Sequence, residues 1–101
     1  MQLPHDAGQT GYQVFWSAND AASVAAARAG ATEQLRALLG RMRQGPIEVR
    51  ELEGEAAVSF LDRVLTTEFD LTMRRHYVRC RDTVQRRGGR LVVASASVRQ
   101  R

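Results

Sequence analysis

The residues best suited to chemistry crowd into one stretch. Arg74, Arg75, Arg79, Arg81, Arg86, Arg87 and Arg90 surround His76 and the single cysteine, Cys80. Arginine carries a planar fork of donors that meets a phosphate or carboxylate with two parallel hydrogen bonds. Met73, Tyr77, Cys80 and Val84 step by 4, 3 and 4 through the same stretch. That is an apolar seam on a 3.6-residue period, and it predicts a helix over 72–87. With the seam turned inward, Arg74, Arg75, Arg79, Arg81, Arg86 and Arg87 fall largely off it and look outward together. They are the candidate partner- or RNA-contacting residues. Binding of phosphates to such a face would weaken steeply with salt. No aromatic residue joins the arginines on that outward face, so base stacking is not indicated. The competing reading is a solvated helix face followed by a basic tail.

His76 stands one helical turn before Cys80. Two ligands do not complete a zinc site, which takes three or four. A Cys–His nucleophile pair also needs oxyanion donors, and amides in mid-helix are already used. The sequence therefore predicts Cys80 as core packing, with no catalytic residue, no metal and no cofactor. Gly40 and Gly45 bracket Arg41-Met42-Arg43-Gln44 but lack the Gly-Lys-Ser/Thr ending of a phosphate loop. Gly88-Gly89 comes after a helix and before a strand, the reverse of a dinucleotide fingerprint, and reads as a helix stop. Glu48, Glu51, Glu53 and Glu55 lack calcium-loop spacing and read as an exposed acidic face. Asp62, Glu68 and Asp70 are carboxylates with no recognisable partner group.

The elements that would position these residues read as follows. Tyr12–Trp16 is a short β-favouring run after a loose tail over 1–11. Ser17, Asn19 and Asp20 offer N-caps to a helix of roughly Asp20–Gln44. Leu35, Leu38, Leu39 and Met42 form its buried stripe, with Glu33, Arg36 and Arg43 on the wetter flank. Gly30 is a point where the helix could split, with Thr32 capping a second segment. Gly45-Pro46 ends it. Ile47–Arg50 reads as a short edge strand and Ala57–Leu61 as another strand. Leu65 and Phe69 follow in an irregular connection marked by Thr66, Thr67 and Asp70. Asp70 or Thr72 caps the arginine-bearing helix. Leu91–Ala94 is a strand covered on both faces, which with its helix makes one arm of an α/β crossover. A polar, basic end follows from Ser95.

The bulk numbers agree with one domain. The chain has 101 residues, 44% hydrophobic but only 6% aromatic, so Leu, Val and Ala must build the core. The fold class is α/β, a small sheet with packed helices in two or three layers, over residues 12–97. All 15 basic residues are arginine, first a sign of GC-rich coding. Residues 1–73 hold 6 Arg against 10 Asp and Glu, a balance of −4, whereas residues 74–101 hold 9 Arg against Asp82, a balance of +8. That asymmetry suggests a partner of negative charge, RNA or an acidic protein face. One cysteine permits no internal disulfide, and Met1–Thr10 holds no apolar stretch. No apolar run has the length of a membrane span. A cytoplasmic protein is expected.

The stretch from Asp70 to Ser97 (DLTMRRHYVRCRDTVQRRGGRLVVASAS) resembles the last domain of the Pelota family. These are ribosome-rescue relatives of the archaeal and eukaryotic class-1 release factors. The matching positions are Asp70, Arg74, Tyr77, Val78, Val84, Gly88, Gly89 and Ser95. Upstream, Ala57-Val58 and Leu61 resemble the family's strand before the linker, and Glu33, Leu35 and Leu38 its opening helix. The segment from Pro46 to Ala57 is shorter than the family's and lacks its Tyr-Gly. The family's domain continues past the serines with a further helix and strand, so the sheet is expected to stand open at its C-terminal edge. An open edge invites self-association. The resemblance implies recognition of stalled ribosomes in RNA surveillance, with a translational GTPase and a recycling ATPase as partners. A second resemblance, to regulatory domains of the anti-sigma-antagonist kind, rests on Phe60-Leu61-Asp62 as a strand end and on Gly88–Val93. There the expected phospho-acceptor Ser is Arg63, and the Gly two places on is Leu65.

Overall fold

The structure, a computed structural model, describes residues 9–67 and 71–99, with side-chain surroundings given for 11–65 and 74–98. Its elements run β1 (Gln9–Ala18), α1 (Ala21–Leu39), β2 (Glu48–Glu53), α2 (Gly54–Thr67), α3 (Leu71–Arg87) and β3 (Arg90–Arg99). The three strands form an antiparallel sheet in the order β1-β3-β2. Helix α1 covers one face, and α2 with α3 covers part of the other. The α/β class is the one the sequence predicts, and of the two or three layers expected there are three. The expected crossover is not there. β3 follows α3 but pairs antiparallel with both neighbours. It is the central strand, so among the described residues the open edges belong to β1 and β2, and not to the C-terminal strand.

The strands alternate as a sheet buried on both faces requires. Val92, Ala94, Ala96 and Val98 point to α1, while Leu91 and Val93 point to α2 and α3, and all six are buried. The strand continues past Ala94 to Arg99, and Val98 is buried in it, where a polar end is expected from Ser95. Beyond Val93 the α2/α3 side of the sheet turns polar. Gln13, Ser95 and Glu48 lie side by side there, with Gly11 beside Ser97 in the next row.

Asp20 starts α1 with a capping box. Its carboxylate accepts from the Ser23 amide at 2.8 Å, and the Ser23 hydroxyl oxygen accepts from the Asp20 amide at 3.0 Å. The bond from the Ser23 amide, joined by one from the Ser23 hydroxyl to the same carboxylate oxygen at 2.9 Å, pulls the Asp20 carboxyl below its ordinary value. The helix runs unbroken through Gly30 and ends at Leu39, not Gln44. Gly40, with φ +58°, is the residue that turns the chain, and its amide donates to the Arg36 carbonyl at 3.0 Å. Gly45 plays no part in that cap; its amide donates to the Ser97 carbonyl at 2.9 Å. Thr32 caps nothing, since its hydroxyl donates back to the Arg28 carbonyl.

The buried stripe of α1 is Ala27, Ala31, Leu35 and Leu39. Leu38 is 53% exposed and Met42 40%, so the expected Leu35/Leu38/Leu39/Met42 stripe is corrected at two positions. Residues four apart drift about 40° round a helix per step. The buried line therefore winds with the twisted sheet, and Leu38 falls off it. Met42 lies beyond the end of the helix.

Ala57–Leu61 is not a strand. It lies inside α2, where Ala57, Phe60 and Leu61 are buried with Val64 and Leu65 packed beside them. Their spacing of i, i+3, i+4, i+7 and i+8 is one face of a helix. Gly54, with φ +59°, lets β2 pass directly into α2. Phe69, Glu68 and Asp70 lie outside the described residues, as do the side chains of Thr72 and Met73. The reading of Asp70 or Thr72 as a cap and of Met73 as part of the seam falls on them.

Candidate partner-binding surface

Helix α3 is fixed from beneath by its seam. Tyr77, Cys80 and Val84 are buried against Phe15, Leu61, Leu91 and Val93. Burial of Val84 alone contributes roughly 1.5–3 kcal/mol relative to exposure, and the three buried side chains together set the helix's rotation. Two polar ties refine it. On the α2 side, the Tyr77 hydroxyl donates to Asp62 Oδ1 at 2.8 Å, and Arg81 Nη1 reaches both that hydroxyl (2.6 Å) and Asp62 (3.2 Å). On the sheet side, His76 Nε2 lies 2.6 Å from the Phe15 carbonyl oxygen, and its ring stacks on the Phe15 ring at 4.8 Å.

These ties sort the six candidate arginines. Arg81 is half-buried and occupied with Asp62 and Tyr77, so it holds α3 to α2. Arg86 pairs with Asp82 one turn back at 3.1 Å, with the arginine side chain 83% exposed; an exposed pair of this kind leaves the guanidinium available. Arg74, Arg75, Arg79 and Arg87 are exposed, and none of the four has an ion pair among the described residues. By helix geometry Arg75, Arg79 and Arg86 lie within about 40° of one line, directly opposite the seam. Val78, 61% exposed, lies beside that line.

His76 and Cys80 do meet. The Sγ of Cys80 is 3.7 Å from His76 Nε2. That nitrogen is the one held at the Phe15 carbonyl, and Cys80 is fully buried. Burial pushes the thiol above its ordinary value, against a hydrogen bond from Ser17 that acts the other way. The contact packs α3 on β1 and gives the sulfur no path to a substrate. Among the described residues no three His, Cys, Asp or Glu side chains gather as a metal site. The expected acidic face is partly spent. Glu51 accepts from Arg28 at 2.8 Å and from Arg90 at 3.1 Å, and Glu53 faces Arg90 at 3.8 Å. Asp62, read from sequence as partnerless, has Tyr77 and Arg81. No helix of the described residues is long and apolar enough to cross a membrane.

No family model, curated protein or solved structure matches the chain. The fold therefore stands on its own geometry. It departs from both resemblances where Ala57, Val58 and Leu61, and with them Phe60-Leu61-Asp62, lie in α2 and not at a strand, and from the Pelota-like expectation again where β3 is the central strand and not an open edge.

One feature escaped the sequence. A slot of about 850 Å³ runs along the outer edge of β1. Its floor is five consecutive residues, Gln13–Ser17. One wall is Gln34 and Leu38 of α1; the other is Arg75, His76 and Arg79 of α3. The indole of Trp16 donates to Gln34 Oε1 at 2.6 Å and is held upright against the α1 wall. No local pattern in the chain signals the slot, because it depends on β1 being an edge strand with a helix on each side.

Proposed function

We propose that this chain is a non-catalytic binding domain that docks a negatively charged partner through the outward line of α3. In the Pelota-like reading that partner is a ribosome or a translation factor on it, and the work is rescue of stalled ribosomes in RNA surveillance alongside a translational GTPase and a recycling ATPase. The observation that carries the reading is the placement of Arg75 and Arg79: exposed, one turn apart, opposite the buried Tyr77, Cys80 and Val84, with no carboxylate to neutralise them among the described residues. Two neighbouring guanidinium groups without counter-ions favour an anion arriving from outside.

Co-sedimentation of the purified chain with ribosomes over a salt series tests this. Arg75→Glu with Arg79→Glu is expected to abolish sedimentation at moderate salt and leave the denaturation midpoint unchanged. Full-strength association of the folded double variant would reduce the arginine line to a solvated surface.

A further inference from the structure

The slot beside β1 is more specific than a charged patch. β1 pairs with β3 along ten residues and, among the described residues, has no strand on its other side. In an antiparallel pair, alternate residues point both backbone groups at the partner strand or away from it. The Phe15 carbonyl turns outward to His76. Ser97, opposite Gly11, sends its carbonyl to Gly45 on the far side. Both observations fix the same parity: the N–H and C=O groups of Gly11 and Gln13 face away from β3. Towards the C-terminal end α3 closes the edge, with His76 over Phe15 and Cys80 beside Ser17. At Gly11 and Gln13 nothing among the described residues does. The sheet face over Gly11 is open as well, since a Cβ added there would meet no atom within 4 Å.

Resting on the docking function above, we infer that the partner enters this slot as an extended acidic peptide segment and adds to β1 as a fourth strand. Backbone pairing at Gly11 and Gln13 provides the register. Successive side chains of an added strand point to opposite faces of the sheet. Those on one face meet the apolar wall at Leu38; those on the other meet Arg75 and Arg79. The recognised segment therefore alternates apolar and acidic residues. The charge of the wall excludes a basic segment and disfavours a second copy of β1, which would bring two Arg75–Arg79 pairs to one seam.

The test uses two dansyl-labelled hexapeptides, one alternating Glu and Val and the other Lys and Val, titrated by fluorescence anisotropy. The Glu–Val peptide is expected to bind, and the Lys–Val peptide at least tenfold more weakly. Gln13→Pro removes an outward donor that β3 does not use, and should weaken the Glu–Val peptide at least tenfold, as should Arg75→Glu with Arg79→Glu. Amide hydrogen exchange on the wild-type chain stands beside the variant: the Gly11 and Gln13 amides are expected to slow when the peptide binds. Equal binding of both peptides, or unchanged exchange at those two amides, overturns strand addition. So does a peptide-free dimer in light scattering with the same amides already slowed, which would make the occupant a second copy. Poly(U) separates the two readings. If it binds through Arg75 and Arg79 while the peptide leaves the two amides exchanging freely, the edge proposal fails and the docking function stands. If charge reversal changes binding of neither ligand, both fail.

Discussion

His76 Nε2 lies 2.6 Å from the carbonyl oxygen of Phe15, 61 residues away, and the two rings stack at 4.8 Å. This is how α3 is stitched to the edge of the sheet. A helix placed there by its apolar seam alone could slide along β1; the bond and the stack set its position. Replacing His76 by Ala removes both, and should lower stability by about 1–3 kcal/mol. His76→Phe keeps a ring over Phe15 and loses only the bond, so about half of that loss should return. Denaturant midpoints of the three proteins measure it. Equal midpoints for His76→Ala and wild type would mean the contact contributes nothing.

The seam of α3 was readable because four residues of the right type recur at a helical period and Gly88-Gly89 follows. The core face of α2 was equally present, in Ala57, Phe60, Leu61, Val64 and Leu65, but the short run Ala57–Leu61 satisfies a strand as well as a helix when taken alone. Extending the window to Leu65 decides for the helix. The α1 stripe misled for a different reason. Leu38 and Met42 are larger than Ala27 and Ala31, but the winding of the helix over a twisted sheet, and not side-chain size, decides which positions are buried. Strand order, and with it the slot, depends on pairing between residues about 80 apart, such as Phe15 with Val93. No local pattern encodes that.

Gly30 sits under the indole of Trp16, and a Cβ there would collide with the ring. Helix propensity alone favours Gly30→Ala by about 1 kcal/mol. The collision runs the other way: to make room the ring must swing out, breaking its bond to Gln34. The net effect is expected to be destabilising by roughly 1–2 kcal/mol. Trp16 is the only tryptophan, so its emission reports the move directly, shifting to the red in the folded variant. An unchanged spectrum with raised stability would show that the ring has no need of that space.

Alkaline pH should expose the two buried acids of the seam. Burial raises the Cys80 thiol, and burial with the bond to Asp62 raises the Tyr77 hydroxyl. For a raised group the folded chain keeps a proton that the unfolded chain has released. Its stabilisation is complete below the ordinary value and is lost as pH climbs towards the folded value. Stability is therefore expected to fall from about pH 8.5 on account of Cys80, and more steeply above about pH 10 as Tyr77 joins. Cys80→Ala should flatten the first part of that decline and Tyr77→Phe the second, whatever each does to the absolute midpoint. Below pH 8 the native thiol should resist a maleimide until the chain opens. Labelling as fast in native buffer as in denaturant would place the sulfur at the surface.

Arg79 and Arg81 stand two positions apart on one helix and should behave as opposites. Arg81 bridges Asp62 and the Tyr77 hydroxyl, so Arg81→Glu sets a carboxylate against Asp62 where a cation had joined α2 to α3. The side chains there are 39% and 52% exposed, which tempers the repulsion, and a loss of about 1–2 kcal/mol is expected. Arg79 meets no acidic group among the described residues, so Arg79→Glu should leave stability within about 0.5 kcal/mol of wild type. In binding the order inverts. Arg79→Glu is expected to weaken association about tenfold and to reduce its dependence on salt, because one fewer cation meets the anionic partner. Arg81→Glu, measured where it is still folded, should change association less. Two titrations and two denaturation curves settle the matter: if both substitutions move stability and binding by the same amounts, the six arginines do not divide into one that holds the fold and others that meet a partner.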